Sequence, residues 1–182
     1  MASARTPRSN WIDAGLRALA TGGPDAVRIE LLAQGLGVTK GGFYGYFADR
    51  RSLLVEMLSV WETRAVDEPI EQADRGGDDE RLRLRRLFAL AAGNDEKMDV
   101  ELAIRDWARR DDDPAACIRR VDDRRMEYLR TLFAGFCDDA DDVEARALIA
   151  FSLFIGNHFI MAGHGSRTRA EVIALVLERL AR

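Results

Sequence analysis

The stretch LLAQGLGVTKGGFYGYFADRRSLL, residues 31–54, leaves the backbone few choices. Ile29, Leu32, Ala33 and Leu36 recur at helical spacing and stop at Gly37, a residue suited to the left-handed position that closes a helix. Thr39 then offers an N-cap for a short helix over 40–47. Asp49 offers another for a helix running through Leu53, Leu54, Met57, Leu58 and Trp61 to about Asp67. Upstream, Ser9 is a fair N-cap for a helix over 9–20 with Trp11, Ile12, Leu16 and Leu19 on one face, and TGGPD at 21–25 ends it. A helix, a four-residue turn with glycine and a second helix make a helix-turn-helix. Small Ala33 lets the two helices approach, and Val38 and Phe43 plug the seam between them.

Such a unit frees its second helix to enter a DNA major groove with its first residues on base edges. Glycine in a helix costs about 0.8–1.0 kcal/mol relative to Ala, so Gly41, Gly42 and Gly45 are expensive for stability alone. They remove bulk where a backbone has to approach DNA. Lys40 supplies a donor for guanine or phosphate. Tyr44 and Tyr46 offer hydroxyls to phosphates or a ring face to a thymine methyl. Arg50 opens the next helix, whose free N–H groups attract phosphate. Arg28 and Thr39, at the starts of the two short helices, complete the candidate DNA-contact set. Phe43 and Phe47 read as core.

Charge is distributed to match. Residues 1–54 hold seven Lys/Arg against four Asp/Glu, a balance of +3, on a chain whose net charge is −4. A mildly basic front on an acidic body suits a small polyanion-binding head. Past EPIEQADRGGDDE, residues 68–80, which reads as a linker or bend, helices are predicted near 80–92, 97–110, 114–136, 141–163 and 168–181. The fold class is therefore all-α with about nine helices. It divides into an N-terminal three-helix helix-turn-helix domain over 1–50 and a C-terminal helical domain over 51–182, for which the resemblance described below implies effector binding and dimerisation. The N-terminal residues lack the apolar core of a signal peptide, so a cytoplasmic location is the expectation. The apolar run 147–163 is short for a membrane span and carries Asn157 and His158, so it reads as a buried helix at a packed interface.

Residues 9–61 resemble the DNA-binding domain of TetR-type transcriptional regulators. The resemblance is carried by Ala33, Gly37-Val38, Gly42, Tyr44, Phe47, Arg50 and Leu53. It departs from the family pattern at Tyr46, where that pattern has histidine, and Gly45 brings no side chain; base choice then falls more on Lys40 and Tyr44. The resemblance implies a body of about six more helices, a homodimer through the two C-terminal helices, a palindromic double-stranded operator and a small-molecule effector pocket. It also implies repression as the default sign.

For that pocket, aromatics and isolated polar groups of the body are the candidates: Trp61, Phe88, Trp107, Tyr128, Phe154, Asn157 and His158. A partly apolar effector suits them. The Arg/Asp-dense segment 101–129 either positions helices or meets a carboxylate ligand. An enzyme finds no support: there is no Ser-His-Asp spacing, phosphate-binding glycine loop or two-histidine metal motif. No cofactor is called for, and His158 and His164, the only histidines, do not make a histidine-rich metal site. A helical protein–protein adaptor with a helix-turn-helix that no longer binds DNA is the alternative. The acidic net charge favours it; Lys40, Tyr44, Tyr46 and Arg50 argue against it.

Overall fold

The computed structural model describes residues 6–75, 77, 79–92 and 95–182. Its helices are α1 (Arg8–Gly22), α2 (Ile29–Gly35), α3 (Lys40–Phe43), α4 (Arg50–Glu62), α5 (Glu68–Asp74), α6 (Glu80–Ala92), α7 (Asp95–Ala108), α8 (Asp112–Ala134), α9 (Ala140–Gly156) and α10 (Arg169–Leu180), with a 3-10 turn at Pro24–Ala26. A π-helical turn at Thr63–Asp67 joins α4 to α5 without a break. The described residues therefore form nine helical rods, as the periodicity predicts. They contain no strand, only an isolated bridge between His164 and Arg167. No described helix is long and apolar enough to cross a membrane.

The chain divides into two compact units. The first holds residues up to Ala65 together with Asp95–Arg120, and the second holds Val66–Asn94 with Val121–Arg182. In the first, α1 packs on α4 and α7, and α2 packs on α3. Trp11, Leu19, Val27, Phe43, Leu53, Met57 and Ile104 are fully buried there. Gly15 lets α1 lie close to α4: a Cβ at that position would lie 2.6 Å from the Met57 sulfur, so the Met57 side chain would have to move. In the second unit Leu84 and Phe88 meet Leu129, Leu132 and Phe133, with Ala147 and Ala150 giving α9 a smooth inner side. Here the α10 end is held by two arginines: Arg81 donates to the Ala181 carbonyl at 2.9 Å and Arg146 to that of Leu180 at 2.5 Å.

Several boundaries differ from the sequence expectation for identifiable reasons. Helix α1 begins at Arg8 after Pro7, with no side-chain cap, so Ser9 lies inside it. Thr39 makes no capping hydrogen bond. Helix α3 is a single turn, and 44–46 form a turn in which the Tyr46 and Phe47 N–H groups both donate to the Phe43 carbonyl. The expected linker at 68–80 is helical as far as Asp74, since Pro69 falls in the first turn of α5, where a missing N–H costs least. Helix α9 stops at Gly156 instead of running to 163. Arg169 there donates to the Asn157 and Ile160 carbonyls and so satisfies the chain as it leaves the helix. The predicted Asp49 cap is present, and a second capping box forms at Thr168, which the periodicity does not single out. Asp49 accepts from Ser52 N–H at 2.7 Å while Ser52 returns a bond to the Asp49 N–H, and Thr168 and Glu171 make the same reciprocal pair at α10.

Candidate nucleic-acid interface

Local geometry of 29–47 follows from three residues. Gly37 takes φ +67°, and its N–H donates to the Gln34 carbonyl at 3.1 Å. The Val38 N–H donates to the Ala33 carbonyl at 3.0 Å, so the chain leaves α2 with its acceptors met. Phe43, with no exposed surface, anchors α3: its ring meets Trp11 edge-on at 5.4 Å and stacks on Phe47 at 5.1 Å. With Phe43 turned inward, Lys40, Gly41, Tyr44 and Gly45 face solvent, and Tyr44 is 53% exposed. Arg28 and Thr39 are exposed as well, while Gly42 and Tyr46 are half-buried.

The glycines at 41 and 42 are not demanded by the chain itself. Neither takes a positive φ. A Cβ at 41 would meet only the Thr39 hydroxyl at 3.7 Å, and one at 42 only the Trp11 ring at 3.8 Å, both ordinary contacts. Among the described residues, nothing requires their smallness.

Two basic residues of the candidate set already have partners. The Lys40 ammonium donates to the Glu30 carboxylate, which raises the lysine pKa and lowers that of the glutamate. Arg50 is half-buried; its Nε donates to the Val27 carbonyl at 2.7 Å and its Nη2 to that of Pro24. Its guanidinium thereby ties α4 to the turn before α2. Residues that sequence reasoning passed over brace the same head. Arg8 pairs with Glu56 at 2.8 Å and lies 5.0 Å over the Phe47 ring, and Arg64 pairs with Asp13 at 2.7 Å. Sequence separations near 50 hide such pairs from any local pattern.

The seven body candidates are shared between the units. Trp61 and Trp107 are buried in the first, where the Trp107 N–H donates to Asp111 at 3.0 Å. An open hollow of about 680 Å³ in that unit is lined by residues 19–25 and by Ala103, Asp106, Trp107, Arg110 and Asp111, so it touches only one of the seven. In the second unit Phe88 is core. Tyr128 is half-buried and donates to Asp74 at 2.7 Å; burial first and that carboxylate second push its pKa well up. Phe154 is half-buried with the Arg125 guanidinium 5.2 Å above its ring. Asn157 follows α9 as its cap, and His158 is exposed. In 101–129 several charges serve as helix braces. Buried Glu101 binds Arg105 at 2.8 Å, Arg110 pairs with Asp106, Arg120 reaches Glu62 at 2.7 Å, and Arg124 pairs with Asp67.

A short helix braced from behind by an aromatic cluster, with lysine and tyrosine on its free side, is the arrangement of a helix-turn-helix unit that presents its second helix outward. Residues 12–57 match the family model of bacterial regulatory proteins of the tetR family, so this segment is similar to the DNA-binding domain of TetR-type regulators. The whole fold is similar to solved regulators. One from Rhodococcus sp. Rha1 shares 17% identity over 97% of this chain and 94% of that one, with a TM-score of 0.72. A putative regulator from Saccharomonospora viridis in complex with choline shares 18% over 95% and 92%, at 0.74. FadR from Bacillus subtilis in complex with stearoyl-CoA shares 17% over 96% and 98%, at 0.69. No curated protein matches the sequence.

Proposed function

We propose that this regulator binds a palindromic operator as a homodimer in the cytoplasm and acts as a repressor released by a small-molecule effector. The observation that carries the reading is the α3 surface: Lys40 and Tyr44 exposed, Phe43 fully buried behind them, and two neighbouring glycines that nothing inside the protein requires. Arg28, Thr39, Gly41, Gly42, Gly45, Tyr46 and Arg50 make up the rest of the contact surface. Arg50 contributes chiefly by fixing the turn that Arg28 follows. A two-fold pair of such heads suits half-sites about 34–36 Å apart.

The dimer reading is supported by apolar side chains on α9 that the chain does not cover, Leu148 and Ile149, and by the half-buried stripe Val172, Ile173, Val176 and Leu177 on α10. A partly apolar effector suits the half-buried Tyr128, Phe154 and Asn157, with Trp61, Phe88, Trp107 and His158 as further candidates. Among the similar folds, one holds choline and another stearoyl-CoA, a cation and an acyl thioester. Helix α4 is the natural lever, because it carries the Asp49 cap and Arg50 at one end and continues through the π turn into α5 at the other. An effector shifts the equilibrium only by its differential affinity for the two states.

The test is binding to the DNA upstream of the protein's own gene against random duplex of equal length. A salt-sensitive complex that prefers the upstream DNA, weakened by Lys40→Ala and Tyr44→Phe, supports the reading. Equal affinity for both duplexes would end it.

A further inference from the structure

We propose that Glu30 is a specificity-determining residue of the DNA-binding surface, a carboxylate that withholds the Lys40 ammonium from backbone phosphate and aims it at base edges. The inference rests on the DNA-binding reading above. Glu30 lies in the first turn of α2 and Lys40 at the start of α3, so their ion pair spans the turn of the helix-turn-helix and is not a pair along one helix. Both side chains are open to solvent, at 65% and 48% exposure. Arg28 stands close enough to act on Glu30, and Tyr44 close enough to act on Lys40. The face that meets DNA thus reads Arg28 positive, Glu30 negative, Lys40 positive.

An acid in that position calls for an explanation. Exposed ion pairs contribute little to folding, so stability does not supply one. On a surface that approaches a polyanion, a carboxylate weakens binding to DNA of every sequence. It brings a net advantage only where it weakens binding to wrong sequences more than to the right one. The geometry provides that asymmetry. While Lys40 holds Glu30 its charge is already offset, so the pair draws a phosphate only weakly, and parting the two leaves a bare carboxylate beside the DNA backbone. An ammonium carries three donors, however, and Glu30 occupies one of them. Tyr44 is near enough to take a second, and the donor that remains matches the O6 or N7 acceptor that guanine presents in the major groove. At such a base Lys40 keeps Glu30 and reads the base edge together. Glu30 is a positioning residue here, acting through Lys40.

The experiment begins with the duplex that the wild-type protein enriches from a random library. Affinities for that duplex and for random duplex are then measured across a salt series. Glu30→Gln is expected to tighten random binding by about 3- to 10-fold and to steepen its salt slope by about 0.9, the value of one added phosphate contact. Affinity for the enriched duplex is expected to stay within about twofold, so the specificity ratio falls. In a Lys40→Met background, Glu30→Gln is expected to change neither affinity, the mark of a coupled pair. Because both side chains are exposed, unaltered melting serves as the folding control. Equal tightening on both duplexes, unaltered random binding, or an effect that persists without Lys40 would each overturn the proposal. The last of these would indicate that Glu30 acts as a free charge or reads cytosine directly. Enrichment of no duplex at all would overturn the DNA-binding reading along with it, whereas an enriched duplex with an unchanged ratio overturns this inference alone.

Discussion

The helix-turn-helix head and the C-terminal pair α9–α10 bury their apolar residues to opposite degrees. In the head, Trp11, Leu19, Val27, Phe43 and Leu53 are closed off within the chain, and what faces outward is Lys40, Tyr44, Arg28 and glycine. On α9, Leu148 and Ile149 stay about half exposed, and in the loop after it Phe159 is 65% and Met161 93% exposed. A short head with a self-sufficient core can offer a polar surface to a polar partner. A long helix with apolar residues outside its own core is incomplete by itself, and soluble chains seldom leave a contiguous patch of that kind uncovered. The contrast separates two kinds of surface in one chain, one polar and charged and one apolar.

The largest effect that sharpens this contrast is on stability. Phe43→Ala empties the centre of the head and is expected to cost about 3–5 kcal/mol in denaturant unfolding. Leu148→Arg adds a charge to an already exposed site, so it is expected to leave the protomer's fold intact and to raise the dimer dissociation constant about tenfold or more, read by sedimentation. If Leu148→Arg unfolded the protomer instead, this side of α9 would belong to the core and the comparison would fail.

Next come the two basic residues of the head. Arg50→Ala removes the guanidinium donor from the Val27 carbonyl and one of the two donors to the Pro24 carbonyl, and is expected to cost about 1–3 kcal/mol of stability. Lys40→Ala, at an exposed site, is expected to leave melting nearly unchanged and to weaken operator binding about 10- to 100-fold. The two substitutions exchange roles only if the assignment of one to structure and the other to recognition is mistaken.

A smaller effect concerns the caps. Removing the α10 cap with Thr168→Ala is expected to cost about 1 kcal/mol by thermal unfolding. The last concerns thiols. Burial first, and then Glu62, push the Cys117 thiol up to about 12. An unfolded thiol ionises near about 8.5, so the folded state favours the protonated form. The stability this group contributes is present in full below about pH 8.5 and is lost as pH rises from there to about 12. Alkylation at pH 8 is accordingly expected to reach half-buried Cys137 first and Cys117 only on unfolding; equal rates would contradict the burial.

Much of the head was legible because its determinants are local. Gly37 at a helix end, Asp49 three residues before Ser52, and aromatic residues at helical spacing each act over a few positions, and the structure uses each as expected. What stayed hidden acts across the chain. Arg50 reads as a phosphate contact until its carbonyl partners, 23 and 26 residues away, come into view. Lys40 reads as a free cation until α2 brings Glu30 to it. Residues 68–74 read as linker because acidic composition and a proline outweighed helical continuity through the π turn. The body candidates were chosen by residue type, which does not distinguish a core ring such as Phe88 from a half-buried one such as Phe154.

The most direct measurement is a backbone footprint of the full chain on the duplex it enriches from a random library. Two protected half-sites in inverted orientation, about one helical turn or a multiple apart and lost together with Lys40→Ala, are the predicted result. A single protected half-site, or no enriched sequence, would contradict the account.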